Sequence, residues 1–276
     1  MFGTGTEQVY SMFLLREGCG TTKACLFKPA GCDPNLDCTI GLIFFVEGPN
    51  KLRVEMVATS LIPAVQQQYI AIAFSNDTIM GGDFVTECVM SDMGQFAGWE
   101  PEVFVSYNHG KSNDRIFLED HEHRVMITNV SSQVEDGRLV CHFTQQIIPE
   151  IDRRDGLIWT LDKSFYVMGA TGSAQPDEVN AHDMNRGSHF YPIVSSAKIN
   201  PSQLGEIKYD HPLKTNVVSS MKSQPPMLSE KPLKAETTAL PPAVSSSIDY
   251  STGAENSSAA GFSILALTML LLRITL

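Results

Sequence analysis

Four of the chain's six cysteines crowd into one short stretch. Cys19, Cys25, Cys32 and Cys38 are spaced C-x5-C-x6-C-x5-C, while Cys88 and Cys141 stand far downstream. Zinc-binding cysteines come in closely spaced pairs, and these gaps are too long for that. An even count with an N-terminal cluster reads as a disulfide framework, which needs an oxidising compartment. Spacing does not choose the pairing. Three N-x-S/T sequons, at Asn76, Asn129 and Asn256, point to the same compartment. Residues 1–18 offer only Met12-Phe13-Leu14-Leu15 as an apolar run, too short for the core of a signal peptide. The expected leader is therefore read as missing from the start of this chain.

The other end carries a different signal. Residues 261–276, GFSILALTMLLLRITL, are apolar apart from two threonines, one serine and Arg273. A spanning helix needs about 20 apolar residues, so this tail reads either as a removable GPI-anchor signal or as a short membrane helix. Ser251 or Asn256 would be the lipid attachment site, each followed by a polar spacer. Residues 195–260 are rich in Pro, Ser, Thr and Lys and are expected to be a disordered stalk. Stalk and tail explain why only 18% of the chain is charged although 43% is hydrophobic. A formal net charge of −11 excludes nucleic-acid binding, which needs a basic footprint. A folded domain is left at residues 19–194.

That domain reads as strands. Lys51–Met56 alternates polar and apolar, and Tyr69–Phe74 is a short run of β-formers. Further strands are expected at Phe84–Val89, Val103–Tyr107, Arg124–Thr128, Arg138–Phe143 and Phe165–Met168, with Leu139, Cys141 and Phe143 on one inward face. No segment has a convincing amphipathic helical pattern. Many short strands between turn signals predict an all-β fold, an antiparallel, immunoglobulin-like β-sandwich. Glu119-Asp120-His121-Glu122-His123 suggests a metal cluster, but it lacks a third partner and reads as a solvated loop. Asp152-Arg153-Arg154-Asp155 reads as a charged turn. No Ser/His/Asp or Cys/His nucleophile arrangement stands out, so no catalytic residue is assigned.

Three stretches in order are distinctive: Cys19-Gly20-Thr21-Thr22-Lys23-Ala24-Cys25 with Cys32 and Cys38, then Ile72 through Met80-Gly81-Gly82-Asp83 to Cys88, then Val179-Asn180-Ala181-His182-Asp183. They resemble the DOMON domain of the ferric-chelate reductase group, above all its short members without a multi-helix haem-b membrane domain. The resemblance covers roughly residues 19–195 and includes all six cysteines.

The resemblance implies two functions. Haem-binding DOMON domains hold haem b between a methionine and a histidine, and Met80 and His182 match those places, with His189 in reserve. A thioether opposite an imidazole favours ferrous iron and fills both axial positions, which suits electron transfer better than turnover. The short members act as accessory factors for AMPA-type glutamate receptors, which implies docking on membrane receptors or assembly factors at the cell surface or in the endoplasmic reticulum. The expectation leans to this non-enzymatic accessory role. The alternative is an electron carrier working with a separate membrane ferric reductase. An autonomous transmembrane reductase is not expected.

Overall fold

The computed structural model describes residues 14–91, 101–152 and 155–211. Two antiparallel sheets face each other, as expected. The first contains β1 (Ala24–Lys28), β2 (Ile40–Gly48), β3 (Lys51–Thr59), β8 (Ile127–Glu135) and β9 (Arg138–Gln146), in the order β1-β2-β3-β9-β8. The second contains β4 (Gln67–Ser75), β5 (Asp83–Ser91), β6 (Glu102–His109), β7 (Ser112–Arg115), β10 (Tyr166–Ser173) and β11 (Ile193–Val194), in the order β11-β10-β4-β5-β6-β7.

Alternation decides what lies between the sheets. Leu42, Phe44 and Val46 of β2, Leu52, Val54 and Met56 of β3 and Leu139, Cys141 and Phe143 of β9 point inward from the first sheet. Ile70, Ile72 and Phe74 of β4 and Phe84 and Cys88 of β5 meet them from the second. Phe74 packs edge-on against Phe44 and Phe165, with ring centroids 6.2 and 6.1 Å apart. Gly169 of β10 lets the sheets approach closely, because a Cβ there would lie 2.8 Å from Leu42 Cδ1. The tight β8–β9 hairpin turns at Asp136-Gly137, both with positive φ (50° and 72°), the conformation that a two-residue hairpin loop demands.

Three boundaries differ from the sequence expectation. Arg124–Met126 belongs to a short helix, α1 (Asp120–Met126), and the strand starts only at Ile127. Glu122 opens this helix by accepting a hydrogen bond from the Glu119 backbone N–H at 3.0 Å. Secondly, the fold does not end at residue 194. Ile199 exchanges backbone hydrogen bonds with Phe165, a 3₁₀ turn forms at Pro201–Gln203, and Val46 N–H donates to the Leu204 carbonyl. Leu204 and Tyr209 pack on the core, so the first residues assigned to the stalk form part of the domain. Thirdly, Leu14 is buried against Ile43 and Val57, ahead of the expected start at residue 19. The rest of the stalk and the apolar tail lie outside the described residues, among which no helix is long and apolar enough to cross a membrane.

Candidate functional site

The loop joining β4 to β5 carries Met80, and buried Asp83 holds it in shape. The Asp83 carboxylate accepts from the Gly81 N–H at 2.8 Å and from Asn108 Nδ2 at 3.0 Å. Gly82 N–H donates to the Asn108 carbonyl at 2.7 Å. Gly81 has φ +131° and lies so near β6's following turn that a Cβ would be 3.0 Å from Gly110 Cα. The Met-Gly-Gly-Asp run is thus a backbone solution: two glycines take conformations closed to other residues, and the aspartate ties them to the neighbouring strand. Asp77 Oδ1 accepts from the Ile79 N–H at 2.7 Å, fixing the other side of Met80.

His182 lies on the long connection between β10 and β11. Asn180 anchors the start of that connection: its N–H donates to the Ser173 carbonyl, and its own carbonyl accepts from the Tyr69 hydroxyl at 3.2 Å. Lys28 anchors the end from the opposite sheet, donating to the carbonyls of Ser188 at 3.0 Å and Tyr191 at 2.5 Å. Burial lowers the Lys28 ammonium's pKa and the charge of Asp183 opposes this. Asp183 is itself held low by hydrogen bonds from Ser188 and the Asn185 backbone. His182 Nδ1 lies 3.0 Å from the Asp183 carbonyl. An Nδ1–H donating there leaves the Nε2 lone pair free for a metal, the usual way a ligating histidine is oriented.

These two loops converge. Met80 and His182 both line one cleft of about 380 Å³ over the outer face of the second sheet. Its floor is made of the small side chains Ala71 and Ala73 of β4 and Ala170 of β10 and the backbone of Gly169, with Tyr69, Val85 and Met168 around them. A floor this low leaves room for a flat apolar body. A thioether and an imidazole on one apolar-floored cleft are donors of the kind that could hold a haem iron. His189 is exposed and does not line the cleft.

One feature of the floor was not singled out from sequence. Glu87 of β5 lines the cleft, yet its side chain is fully buried and takes a hydrogen bond from Arg115 Nε at 2.6 Å. Burial pushes its carboxyl up, against the opposing pull of Arg115. Alternation would place Glu87 opposite the inward-facing Cys88, hence in solvent. Arg115 of β7, tied to the Pro176 carbonyl, and Phe104 and Val179 pack over that face and bury it instead.

The remaining expected residues can be placed. The disulfides pair Cys19 with Cys25, Cys32 with Cys38, and Cys88 with Cys141 across the core. Among the described residues, the one grouping of ligand-type side chains, Cys32, Asp37 and Cys38, therefore has both sulfurs in a disulfide. Asn76 and Asn129 are exposed, as glycosylation requires. Asn256 and Ser251 lie outside the described residues. The Glu119–His123 run, expected as a solvated loop, instead forms the start of α1, with His121 exposed and His123 Nε2 turned to the Val103 carbonyl at 2.6 Å.

No protein-family model matches the chain. Ferric-chelate reductase 1 of Bos taurus is 26% identical over 183 residues, 66% of this chain and 26% of that protein. Putative ferric-chelate reductase 1 of Danio rerio is 27% identical over 186 residues, covering 66% and 28%. The DOMON domain-containing protein FRRS1L of Homo sapiens is 27% identical over 184 residues, covering 66% and 55%. The chain thus spans about a quarter of the reductases' length and about half of FRRS1L. Taken with the antiparallel sandwich already described, these matches are consistent with a DOMON, ferric-chelate-reductase-like protein.

Proposed function

We propose that this is a membrane-associated, extracytoplasmic DOMON domain whose cleft binds haem b between Met80 and His182, and that it carries electrons for a separate membrane reductase. The observation that supports this reading is the convergence of a thioether and an imidazole, from two loops far apart in sequence, on one apolar-floored cleft. Haem b, if held by Met80 and His182, would supply a one-electron iron couple. The chain's own part is to hold the two donors in place. Asp83 and the two glycines fix the Met80 loop, while Asp183 orients the His182 ring and Lys28 pins the segment behind it. Three disulfides suit a lumenal or extracellular setting.

The test is the absorption spectrum of the purified protein titrated with haem. A low-spin spectrum is expected, lost in both Met80→Ala and His182→Ala and kept in His189→Ala. No haem uptake, or a spectrum indifferent to both ligand substitutions, sinks the reading.

A second reading keeps the accessory role on AMPA-type glutamate receptors. It draws on Ile79, Met184 and Val194, large apolar side chains that stand exposed near Met80, His182 and the cleft lining. Exposed apolar side chains grouped in this way suit a protein contact. Pull-down from native membranes should recover a receptor or its assembly factors, less so with Ile79→Asp. Recovery of neither removes this reading.

A further inference from the structure

The cleft floor holds a polar pair to which a haem ring brings nothing. Glu87 Oε1 is engaged by Arg115, whose guanidinium also donates to the Pro176 carbonyl at 2.6 Å and stacks 3.8 Å from the Phe104 ring centroid. Glu87 Oε2 is buried and has no hydrogen-bond partner in the protein. A buried carboxylate oxygen without a donor is costly, and native structures rarely leave one unless something else supplies it. Its surroundings are apolar: Tyr69, Ala71, Val85, Ala170 and Val179 line the same part of the cleft. Glu87 is four residues along β5 from Asp83, on the order of 13 Å from the end where Met80 is fixed.

We propose that this part of the cleft is a binding subsite for a neutral, hydroxyl-bearing small molecule with an apolar body, whose O–H donates to Glu87 Oε2. Neutrality follows from Arg115, which already balances the carboxylate, so that a cationic ligand would face a guanidinium. The apolar body follows from the alanines and valines of the lining. A hydroxyl, unlike an ether or an alkane, can donate to that buried, unpaired oxygen, so selectivity rests on that one donor. The subsite shares the cleft with the haem reading but does not depend on it.

The test uses purified, haem-free protein titrated calorimetrically with para-ethylphenol and with para-ethylanisole, its O-methyl ether. The phenol is expected to bind at least about tenfold more tightly, the typical penalty for leaving a buried acceptor unpaired. Glu87→Gln turns an amide N–H toward the ligand and should bring the two affinities to within about twofold. That variant leaves Arg115 without its counter-charge and can unfold, so Ala71→Leu provides an independent check. Ala71 stands directly across from Glu87 on β4, so a leucine there fills the floor beside the carboxylate while leaving both members of the Glu87–Arg115 pair in the chain. It should weaken the phenol at least about tenfold while the wild-type circular dichroism is kept. Equal affinity for phenol and ether, no binding of either, or unaltered phenol binding in Ala71→Leu overturns the proposal. Haem uptake is measured separately, so either reading can fail without the other.

Discussion

The Cys88–Cys141 disulfide should contribute more to stability than any other single bond in the domain. It joins β5 of one sheet to β9 of the other through the sealed core, closing a sequence separation of 53, whereas Cys19–Cys25 closes only 6. In the chain-entropy treatment the constraint on the unfolded state grows with the logarithm of loop length, giving about 4 kcal/mol for the long loop and about 2 kcal/mol for the short one. Cys88 and Cys141 are both fully buried, so their replacement also leaves a small void that adds to the loss. The comparison is between Cys88→Ala/Cys141→Ala and Cys19→Ala/Cys25→Ala, each unfolded in urea beside the parent. With a urea slope of about 2 kcal/mol per molar, the core pair's midpoint should fall about 1 M below that of the N-terminal pair. Equal midpoints would refute the argument, because they would mean that the long loop imposes no extra order on the unfolded chain.

Three further outcomes are expected. Gly81→Ala places a Cβ 3.0 Å from the Gly110 backbone at a φ of +131°, and should cost about 1–3 kcal/mol in urea unfolding and weaken haem uptake through the Met80 loop. Lys28→Met removes two hydrogen bonds to the segment behind His182 and should cost about 1 kcal/mol; hydrogen exchange should rise over residues 183–191 and not in β4 or β5. His142, buried on the outer face of the first sheet, has its pKa pushed down to about 4, first by desolvation and then by Arg53. The folded state therefore binds fewer protons than the unfolded one below the ordinary value of 6.5, and stability present above that value is lost as pH falls toward 4. The gap amounts to at most about 3 kcal/mol, and His142→Gln should flatten the loss of urea midpoint between neutral pH and pH 4. An unchanged slope would mean the imidazole does not stay neutral in the fold.

The strands that sequence made visible are those with one wet face or a short apolar run, such as Lys51–Met56 and Tyr69–Phe74. β2, Ile40–Gly48, was not singled out, since both of its faces are largely covered and its letters form one continuous apolar block without alternation. Arg124–Thr128 misled for the opposite reason. Its residues suit a strand, but Glu119 and Glu122 start a helix just upstream, and the chain changes conformation at Ile127. The folded domain runs past the expected boundary at residue 194, and Ser195–Tyr209 has little periodicity to mark it. Its order comes from single contacts, such as Ile199 with Phe165, that have no sequence pattern.

By itself the sequence determined the all-β class, the inward face of each alternating strand, the disulfide habit and the resemblance that singled out Met80 and His182. Those properties depend on residue type and short-range spacing, which are present in the unfolded chain. Only tertiary structure decided which cysteines pair, that Met80 and His182 share a cleft while His189 does not, and that Glu87 is buried beside Arg115. The physical reason is that each of these depends on distances between elements far apart in sequence. Alternation tells which side of a strand a residue faces. It does not tell what covers that side, and here Arg115 and parts of the β10–β11 connection close over the outer face of the second sheet and turn a solvent face into a site.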